Sequence, residues 1–230
     1  MATAICIFST IHVENALLLS LRLKIPILKE LRENETILIM GSAVNPYHLL
    51  NFQFKHKVTY YILQAENMDS EFFKNKYYVS LLRRNPTFHY SQYNADECYK
   101  QFGIRSSGLF DWEFLNRDNL YEICEQPIDL LFYGYPNEER QNVEVLLKEK
   151  YPDKNIVFAY AIYDVIDLIT KSKYVLNIPY LKNTSLETHR INQALACGCK
   201  VYSKKSNCNY LNQKYESKII FIEDWNDIQL

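Results

Sequence analysis

The segment KYVLNIPYLKNTSLETHRINQALACGCKVYS, residues 173–203, contains one complete strand–helix–strand unit. Its apolar start at 173–178 predicts a buried strand, and the pattern at 186–197 predicts a helix after a polar loop. The helix leads directly into a second apolar strand at 199–203. Parallel strands joined by a crossover helix have this order and spacing, so the segment predicts a parallel sheet with helices packed on it.

The same alternation extends through the second half of the chain. Further strands are predicted at 128–133, 155–159 and 218–222, with helices at about 137–150, 162–171 and 207–214. Near-continuous apolar strands are typical of sheets that are buried on both faces. We therefore predict a doubly wound parallel sheet for residues 126–230.

The first half has a weaker form of this pattern. Strands are predicted at 4–9, 36–40, 58–63 and 87–91, and helices after a loop at 10–15, at 70–83 and at 94–102, the last closed by Gly103. The expected fold class is α/β, with two Rossmann-like parallel-sheet lobes. The first lobe, residues 1–125, is expected to be reduced, and 104–126 is the candidate connection to the second lobe, residues 126–230.

Composition excludes several functional classes. The formal charge is -1, from 26 Lys plus Arg and 27 Asp plus Glu, so we expect no general attraction to nucleic acid or to anionic membranes. Only five glycines occur. Their positions exclude the G-x-G-x-x-G fingerprint and the phosphate-binding loop G-x-x-x-x-G-K-[ST], which argues against NAD enzymes and P-loop NTPases.

The cysteines and the N-terminal region predict the cellular location. The six cysteines form no C-x-x-C pair and are too sparse for a disulfide scaffold, so we interpret them as reduced thiols of a cytoplasmic protein. Charged residues interrupt the N-terminal apolar runs, so no transmembrane segment is expected. The many Tyr, Asn, Lys and Ile residues are typical of AT-rich coding.

Ligands of open parallel sheets bind beyond the carboxyl ends of the strands, which directs attention to the residues that follow each strand. Gly134 follows the strand at 128–133, and Arg140 lies one turn into the next helix. Glycine allows a ligand to approach the backbone, and arginine binds phosphate. The alternative is an ordinary turn glycine beside a solvated helix face.

The loop and helix after residue 178 form the most specific candidate site. Ser185 is a favourable N-cap for a helix beginning at Leu186, and free amides at a helix start bind diphosphate. Helical spacing directs Arg190 and Gln193 toward the same cleft. The alternative is that Glu187 and Arg190 form only a surface ion pair, which contributes about 0.3 kcal/mol.

Residues 128–203 resemble the donor-binding lobe of the GT-B glycosyltransferases, particularly small members related to the spore-protein and viral group. In that family a strand ends in Phe-x-Gly followed by arginine, and a later segment reads R-x-x-E-A-L-A-x-G. The chain has Phe132-Tyr133-Gly134 with Arg140, and RINQALACG at 190–198. The usual glutamate of the second motif is Gln193 here, which has no charge and cannot act as a base.

The resemblance implies a metal-independent enzyme without a cofactor, which transfers a sugar from a nucleoside-diphosphate sugar to a glycan or another hydroxyl acceptor. Arg140 and Arg190 are expected to contact the donor diphosphate, and Gln193 the ribose. Cytoplasmic location is expected, in the host if the source is viral. The complete set of expected donor-binding residues is Gly134, Arg140, Tyr180, Ser185, Leu186, Glu187, Arg190 and Gln193.

The acceptor side and the catalytic groups are expected mainly in the first lobe. Segments 60–67 and 88–94 resemble the family's strand ends at the interdomain cleft, and they nominate as acceptor-side residues Gln64, Tyr90, Ser91 and Asn94. The catalytic candidates are His12, Glu66 and Glu187. His12 occupies the region where some inverting members have a histidine base, although a single loop histidine is more often an ordinary surface residue. Glu187 would replace the second glutamate of retaining members, since residue 185 is serine.

Two alternatives remain open. The chain is also compatible with a nucleotide- or glycan-binding module that has lost catalysis, or with one domain of a larger glycan-building protein. The first lobe is short for the family, and the helix that usually returns across the lobes is missing after Asp227. A methyltransferase is disfavoured because no glycine-rich turn follows the first strand.

Overall fold

The computed structural model describes residues 1–9, 12–68, 70–115, 125–160, 165–181 and 184–230, without the side chains of residues 14, 18, 114 and 115. These residues form two compact units, Met1–Asp111 and Trp112–Leu230. Trp112 is buried, and its ring centroid lies 6.3 Å from that of His189. The turn that begins at Trp112 therefore packs within the second unit, ahead of the predicted boundary at residue 125.

The first unit contains six parallel strands and four α-helices in its described part. The strands are β1 (Ala4–Ile7), β2 (Ile27–Leu28), β3 (Thr36–Met40), β4 (Thr59–Gln64), β5 (Thr87–His89) and β6 (Gly108–Leu109). The helices are α1 (Val13–Leu23), α2 (Pro46–Lys55), α3 (Lys76–Arg84) and α4 (Gln92–Phe102). The strand order across the sheet is β2-β1-β3-β4-β5-β6.

The first core lies between the sheet and helices α2 to α4. Ile37, Ile39 and Ile62 of the central strands pack with Leu49 of α2 and Leu81 of α3. Helix α1 follows β1 and packs on it. Because β1 connects to β2 on one side and all later strands lie on the other, right-handed crossovers distribute the helices over both faces.

Several first-unit elements differ from the sequence prediction. The helix predicted at 70–83 is divided into a 3₁₀ turn, Glu71–Lys74, and α3. Helix α1 begins within the loop predicted at 10–15. The patterns gave no prediction for β2, β6 or α2, since two residues are too few for a period and α2 mixes apolar, aromatic and amide side chains.

The second unit follows the predicted alternation closely. Its strands are β7 (Ile128–Gly134), β8 (Ile156–Tyr160), β9 (Ser172–Asn177), β10 (Lys200–Ser203) and β11 (Ile220–Phe221). Its helices are α5 (Glu138–Lys150), α6 (Ile166–Thr170), α7 (Thr188–Ala196) and α8 (Asn209–Tyr215). The parallel strands have the order β11-β10-β9-β7-β8. The predicted α/β class with two parallel sheets is therefore confirmed.

Both sheets have the same connectivity around their first strand. In each unit the second strand lies on one side of the first strand, and the third strand lies on the other side. This is the doubly wound order in which ligands bind at the point where the direction of winding reverses. That switch point lies between β1 and β3 in the first unit, and between β7 and β9 in the second.

Helices α5 and α7 pack on the second sheet and begin at its switch point, since α5 follows β7 and α7 follows β9. Val143 and Leu147 of α5 pack on one face of the sheet with Leu130 and Phe132. Helix α7 packs against β9 and β10 and ends at Ala196, and Gly198, with a φ of +75°, follows in the turn to β10. Both helices therefore run from the carboxyl edge of the sheet, where their first turns face the strand ends.

The described part of the chain includes no helix that is long and apolar enough to cross a lipid bilayer. Five cysteines are free and buried, namely Cys6, Cys98, Cys197, Cys199 and Cys208, whereas Cys124 lies outside the described residues. Burial raises the pKa of Cys199 to about 12. A thiol in such surroundings is a poor nucleophile, so we assign this cysteine a packing role.

Candidate functional site

Two buried arginines lie at the switch point of the second sheet. Arg140 is in the first turn of α5, which follows β7, and Arg190 is in the first turn of α7, which follows β9. Their side chains are 1% and 6% exposed. The two guanidinium groups therefore come from different helices to the edge where ligands of this sheet type bind.

Gly134 is the point at which the two guanidinium groups converge. A Cβ atom at this position would lie 3.2 Å from Nη1 of Arg140 and 3.2 Å from Nη2 of Arg190. The backbone φ of +149° also disfavours residues with a side chain. Glycine at the end of β7 thus permits both guanidinium groups to approach the backbone. The predicted approach of a ligand at this position stays a prediction.

Aromatic rings support both arginines. Cζ of Arg140 lies 4.9 Å from the ring centroid of Phe132, and Cζ of Arg190 lies 5.5 Å from it. Arg140 is also 5.2 Å from the Tyr180 ring, and Arg190 is 5.4 Å from the Tyr133 ring. The faces of these rings stabilise cations at such distances. Tyr180, which is half exposed, is therefore part of the cluster, and its expected contact with the donor stays a prediction.

A single carbonyl group accepts hydrogen bonds from both guanidinium groups. The oxygen of Ile178 accepts from Nε and Nη2 of Arg140, at 3.2 and 2.6 Å, and from Nη1 of Arg190 at 3.3 Å. Arg140 also donates to the carbonyl of Tyr135 at 2.7 Å, and Arg190 to Oδ1 of Asn177 at 3.2 Å. These bonds fix the position of both arginines at the ends of β7 and β9.

Glu187 supplies the carboxylate of the cluster. Its Oε1 lies 3.7 Å from Nη2 of Arg140, and its Oε2 forms a close ion pair with Nη1 of Arg190. Oε1 also accepts a hydrogen bond from the Tyr180 amide at 3.1 Å. Burial raises the pKa of Glu187, but the charges of Arg190 and Arg140 and the hydrogen bond from the Tyr180 amide outweigh it and hold the pKa below its ordinary value. The alternative of a solvated surface pair is therefore wrong.

The charges of this cluster do not balance. Within the described part of the chain, Glu187 is the only carboxylate that forms an ion pair with either Arg140 or Arg190. Burial, together with the charge of Arg190, lowers the pKa of Arg140 to about 10, which still leaves it protonated at neutral pH. Two cations and one anion remain. An uncompensated buried charge is costly, so the cluster is suited to bind one further anion.

The start of α7 corrects the predicted role of Ser185. The helix begins at Thr188, and its N-cap position is occupied by Glu187 without a side-chain capping bond. Because the Glu187 carboxylate is held by the two arginines, residues 185–187 do not adopt helical geometry. The Thr188 amide donates to the carbonyl of Leu186 at 2.8 Å. The predicted seat of helix amides at Leu186 is therefore wrong, although Ser185 and Leu186 line a pocket beside the cluster.

Gln193 lies one turn after Arg190 and shares a partner with it. The Tyr133 hydroxyl donates to Oε1 of Gln193 at 3.1 Å, and the ring centroid of Tyr133 lies 5.4 Å from Cζ of Arg190. The two residues thus lie on the same side of α7, as their spacing predicted. The expected contact of Gln193 with a ribose stays a prediction.

An open pocket of about 110 Å³ adjoins the arginine cluster beyond the ends of β9 and β10. Asn177 connects the two, since its Oδ1 accepts from Arg190 and its Nδ2 donates to Oγ of Ser203 at 3.0 Å. The polar wall comprises Asn177, Thr184, Ser185, Ser203, Ser206 and Asn207, together with Lys204 and Lys205. The sequence patterns did not nominate Asn177, which lies near the end of the strand predicted at 173–178, or the two lysines, which follow the strand predicted at 199–203.

The acceptor-side residues lie together at the carboxyl edge of the first sheet. The carbonyl of Glu66 accepts from Nε2 of Gln64 at 2.7 Å and from Nδ2 of Asn94 at 3.1 Å. Ser91 caps α4 by accepting from the Asn94 amide at 3.1 Å. The Tyr90 hydroxyl donates to Oδ1 of Asn67, which lies after β4. Gln64 ends β4, and the other three predicted residues follow β5, so all four lie in one polar region.

The two first-unit catalytic candidates have different surroundings. His12 directly precedes α1 and is 2% exposed, so the alternative of an ordinary surface histidine is wrong. Glu66 follows β4 and is partly exposed. His89, at the end of β5, was not predicted; it is fully buried, and burial lowers its pKa to about 4. A catalytic role for His12 or Glu66 stays a prediction.

Fold and site together define an α/β protein with two parallel sheets and a buried arginine pair at the second switch point. No protein-family model matches the chain, and a comparison with curated proteins finds no match either. A functional proposal therefore depends on the chemistry of the site and on the resemblance of residues 128–203.

Proposed function

We propose that this protein is a GT-B glycosyltransferase that binds a nucleoside-diphosphate sugar at the second unit and transfers the sugar to a hydroxyl acceptor. The observation that supports this most strongly is the excess positive charge of the Arg140–Glu187–Arg190 cluster. A diphosphate would balance that charge. The cluster lies at the switch point, where ligands of doubly wound sheets bind, and this position supports the proposal.

The arginines would stabilise the leaving diphosphate in the transition state. Charge develops on the phosphate oxygens as the bond to the sugar breaks, and fixed guanidinium groups offset it without reorganisation. Both groups now donate to the Ile178 carbonyl. Donor binding would exchange part of these bonds for phosphate oxygens, and the absence of a side chain at Gly134 leaves room for that exchange.

The catalytic candidates would divide into two roles. Glu187 is held by both arginines and its pKa is lowered, so it would position them and would not accept a proton. His12 or Glu66 would act as the general base for the acceptor hydroxyl. Gln64, Tyr90, Ser91 and Asn94 would bind the acceptor, since hydroxyl and amide groups recognise sugar hydroxyls.

Replacement of Arg190 tests the proposal. Arg190→Ala removes charged hydrogen bonds, so donor affinity and turnover should fall by about 10- to 100-fold. We would measure binding of UDP-, GDP- and dTDP-sugars by calorimetry and transfer with a radiolabelled donor.

Two further variants make the Arg190 experiment conclusive. Arg190→Lys preserves the buried charge but not the planar fork, and it should show an intermediate loss if Arg190→Ala fails to fold. Arg105→Ala, which changes an exposed arginine of the first unit, serves as the control. Unchanged affinity and turnover in a folded Arg190 variant would contradict the proposal.

One observation favours a second candidate, a binding module without catalysis. Arg140 and Arg190 are almost fully buried, and Gln193 occupies the position of the family's glutamate. Such a module would bind the sugar nucleotide with neither transfer nor hydrolysis of a radiolabelled donor. A shift of the melting temperature with S-adenosylmethionine alone would instead support a methyltransferase.

A further inference from the structure

We propose that the pocket beyond β9 and β10 is a second anion subsite, in which the Lys205 ammonium group binds a phosphate group. The inference rests on the proposed function, because it assigns this subsite to the same phosphate-bearing donor. It concerns a residue that the arginine cluster does not include. Lys205 lies on the loop after β10, and the arginines lie on α5 and α7.

The charge of the pocket is the first argument. Among the described residues, its lining includes Lys204 and Lys205 but no carboxylate, in a chain whose net charge is -1. The positive charge is therefore local. An open pocket that contains charges of one sign attracts ions of the other sign, and phosphate groups are the anions that nucleotide ligands present.

The two lysines are not equivalent. Nζ of Lys204 lies 4.9 Å from the ring centroid of Trp225. The pKa of Asp224 is lowered mainly by hydrogen bonds from the backbone and side chain of Asn226, and the charge of Lys204 contributes to the same shift. Lys205 is exposed and has no ion-pair partner in the part of the chain that the structure describes. Lys205 is therefore the cation that a ligand in the pocket can recruit.

Three hydroxyl groups of the wall already have acceptors. Thr184 donates to the carbonyl of Leu181 at 3.3 Å, and Ser203 donates to the carbonyl of Lys204 at 2.9 Å. Ser206 lies 3.1 Å from Oδ1 of Asn212. These bonds hold the wall in one shape. They also leave the Lys205 ammonium group as the strongest hydrogen-bond donor for an incoming anion.

The size and position of the pocket limit what it holds. A volume of about 110 Å³ is below the roughly 300–1,000 Å³ of pockets that enclose a whole ligand. It therefore accepts one group of a larger molecule, or a small free anion. The side chain of Asn177 lines the pocket and accepts a hydrogen bond from Arg190. Only this side chain therefore lies between an anion in the pocket and the guanidinium group of Arg190.

The test compares Lys205→Gln with Lys200→Gln in the full chain. Lys200 is an exposed lysine of β10 outside the pocket, so it matches the charge change without altering the site. Binding of inorganic pyrophosphate and of UDP is measured by calorimetry. We expect Lys205→Gln to weaken binding of both about tenfold, which is the effect of one hydrogen bond to a charged group, and Lys200→Gln to bind like the unaltered protein.

The outcomes separate this inference from the proposed function. If the unaltered protein binds UDP and Lys205→Gln binds it equally well, the subsite is wrong, whereas the donor assignment stands if Arg190→Ala loses binding. If pyrophosphate binds through Lys205 but neither UDP nor any sugar nucleotide binds, the subsite holds for a free anion and the transferase proposal fails. Absence of binding for both pyrophosphate and UDP overturns the two together.

Discussion

Gly134 lies where the two arginines meet. Its replacement, compared with that of a second glycine, distinguishes the effect of contact with the arginines from the effect of backbone strain. In Gly134→Ala the added Cβ would press on both guanidinium groups at 3.2 Å, and the φ of +149° adds strain. We expect a loss of about 2–4 kcal/mol in the free energy of unfolding, together with weaker binding of pyrophosphate. Urea denaturation and calorimetry measure the two effects.

Gly103→Ala is the matched control for that substitution. Gly103 has a φ of +66° at the end of α4, but nothing lies within 4 Å of its virtual Cβ. It should therefore lose only about 1 kcal/mol and leave anion binding unchanged. Equal losses in the two variants would show that the arginines do not restrict residue 134.

The Glu187 carboxylate is the only counter-charge of the arginine pair among the described residues. Glu187→Gln leaves two buried cations without an anion, so we expect the protein to lose about 3–5 kcal/mol of stability. Added pyrophosphate should recover part of this loss. Denaturation in urea with and without pyrophosphate provides the measurement, and stability that is unchanged in both conditions would refute the proposed charge imbalance.

At the scale of elements, the residue that caps α5, Asn137, also contacts the arginine cluster. Oδ1 of Asn137 accepts from the Arg140 amide at 2.9 Å, and Nδ2 donates to the Tyr180 carbonyl at 2.9 Å. Asn137→Ala should cost about 1–2 kcal/mol and loosen Arg140, so donor affinity should also fall. Chemical denaturation and calorimetric titration measure these changes.

Asn75→Ala removes a similar cap from α3 in the first unit, where Asn75 accepts from the Tyr77 amide at 2.9 Å. This variant should lose comparable stability without any change in donor affinity. A loss of affinity in both variants would mean that helix stability in general, and not the position of Arg140, determines binding.

Elements with a clear apolar pattern were predictable from the sequence, and those defined by distant contacts were not. Strand β3 was predicted with its observed bounds, Thr36–Met40, because five β-forming residues end at a glycine. The start of α7 was missed by two residues because the capping preference of Ser185 competes with an ion pair formed by Glu187 across the loop. The strand β2 pairs with β1 through only two residues, which no periodicity detects.

The candidate site was predictable to a similar extent. Gly134, Arg140 and Arg190 were nominated from strand ends and motif likeness, and the structure brings them together. Asn177 and Lys205 were missed, because their importance comes from the pocket between two loops and not from a local pattern. Spacing along one helix predicted that Arg190 and Gln193 share a side, since helical geometry needs no tertiary information.

For the whole molecule, a buried histidine makes stability depend on pH. Burial lowers the pKa of His89 from its ordinary 6.5 to about 4. Between these two pH values, His89 is neutral in the folded chain and protonated in the unfolded chain. The resulting stability is complete above pH 6.5 and is lost as the pH falls toward 4, by at most about 3 kcal/mol.

The free energy of unfolding, measured in urea between pH 4 and pH 8, tests this dependence. His89→Leu should make the curve flatter below pH 6.5. His56→Gln, which changes an exposed histidine, should leave the curve as it is. An equally steep decline in His89→Leu would assign the pH dependence to other groups.

The shared strand order also determines when the arginine cluster can form during folding. Strand β7 pairs with β8, which follows after one helix, and with β9, which follows after two. Closing the longer loop costs more entropy, so pairing with β9 is the slower step. Because Arg190 follows β9, a nascent chain that has emerged from the ribosome only as far as α6 holds one arginine without its partner. The proposed anion binding would therefore be acquired late in synthesis, and it would report completion of the second sheet.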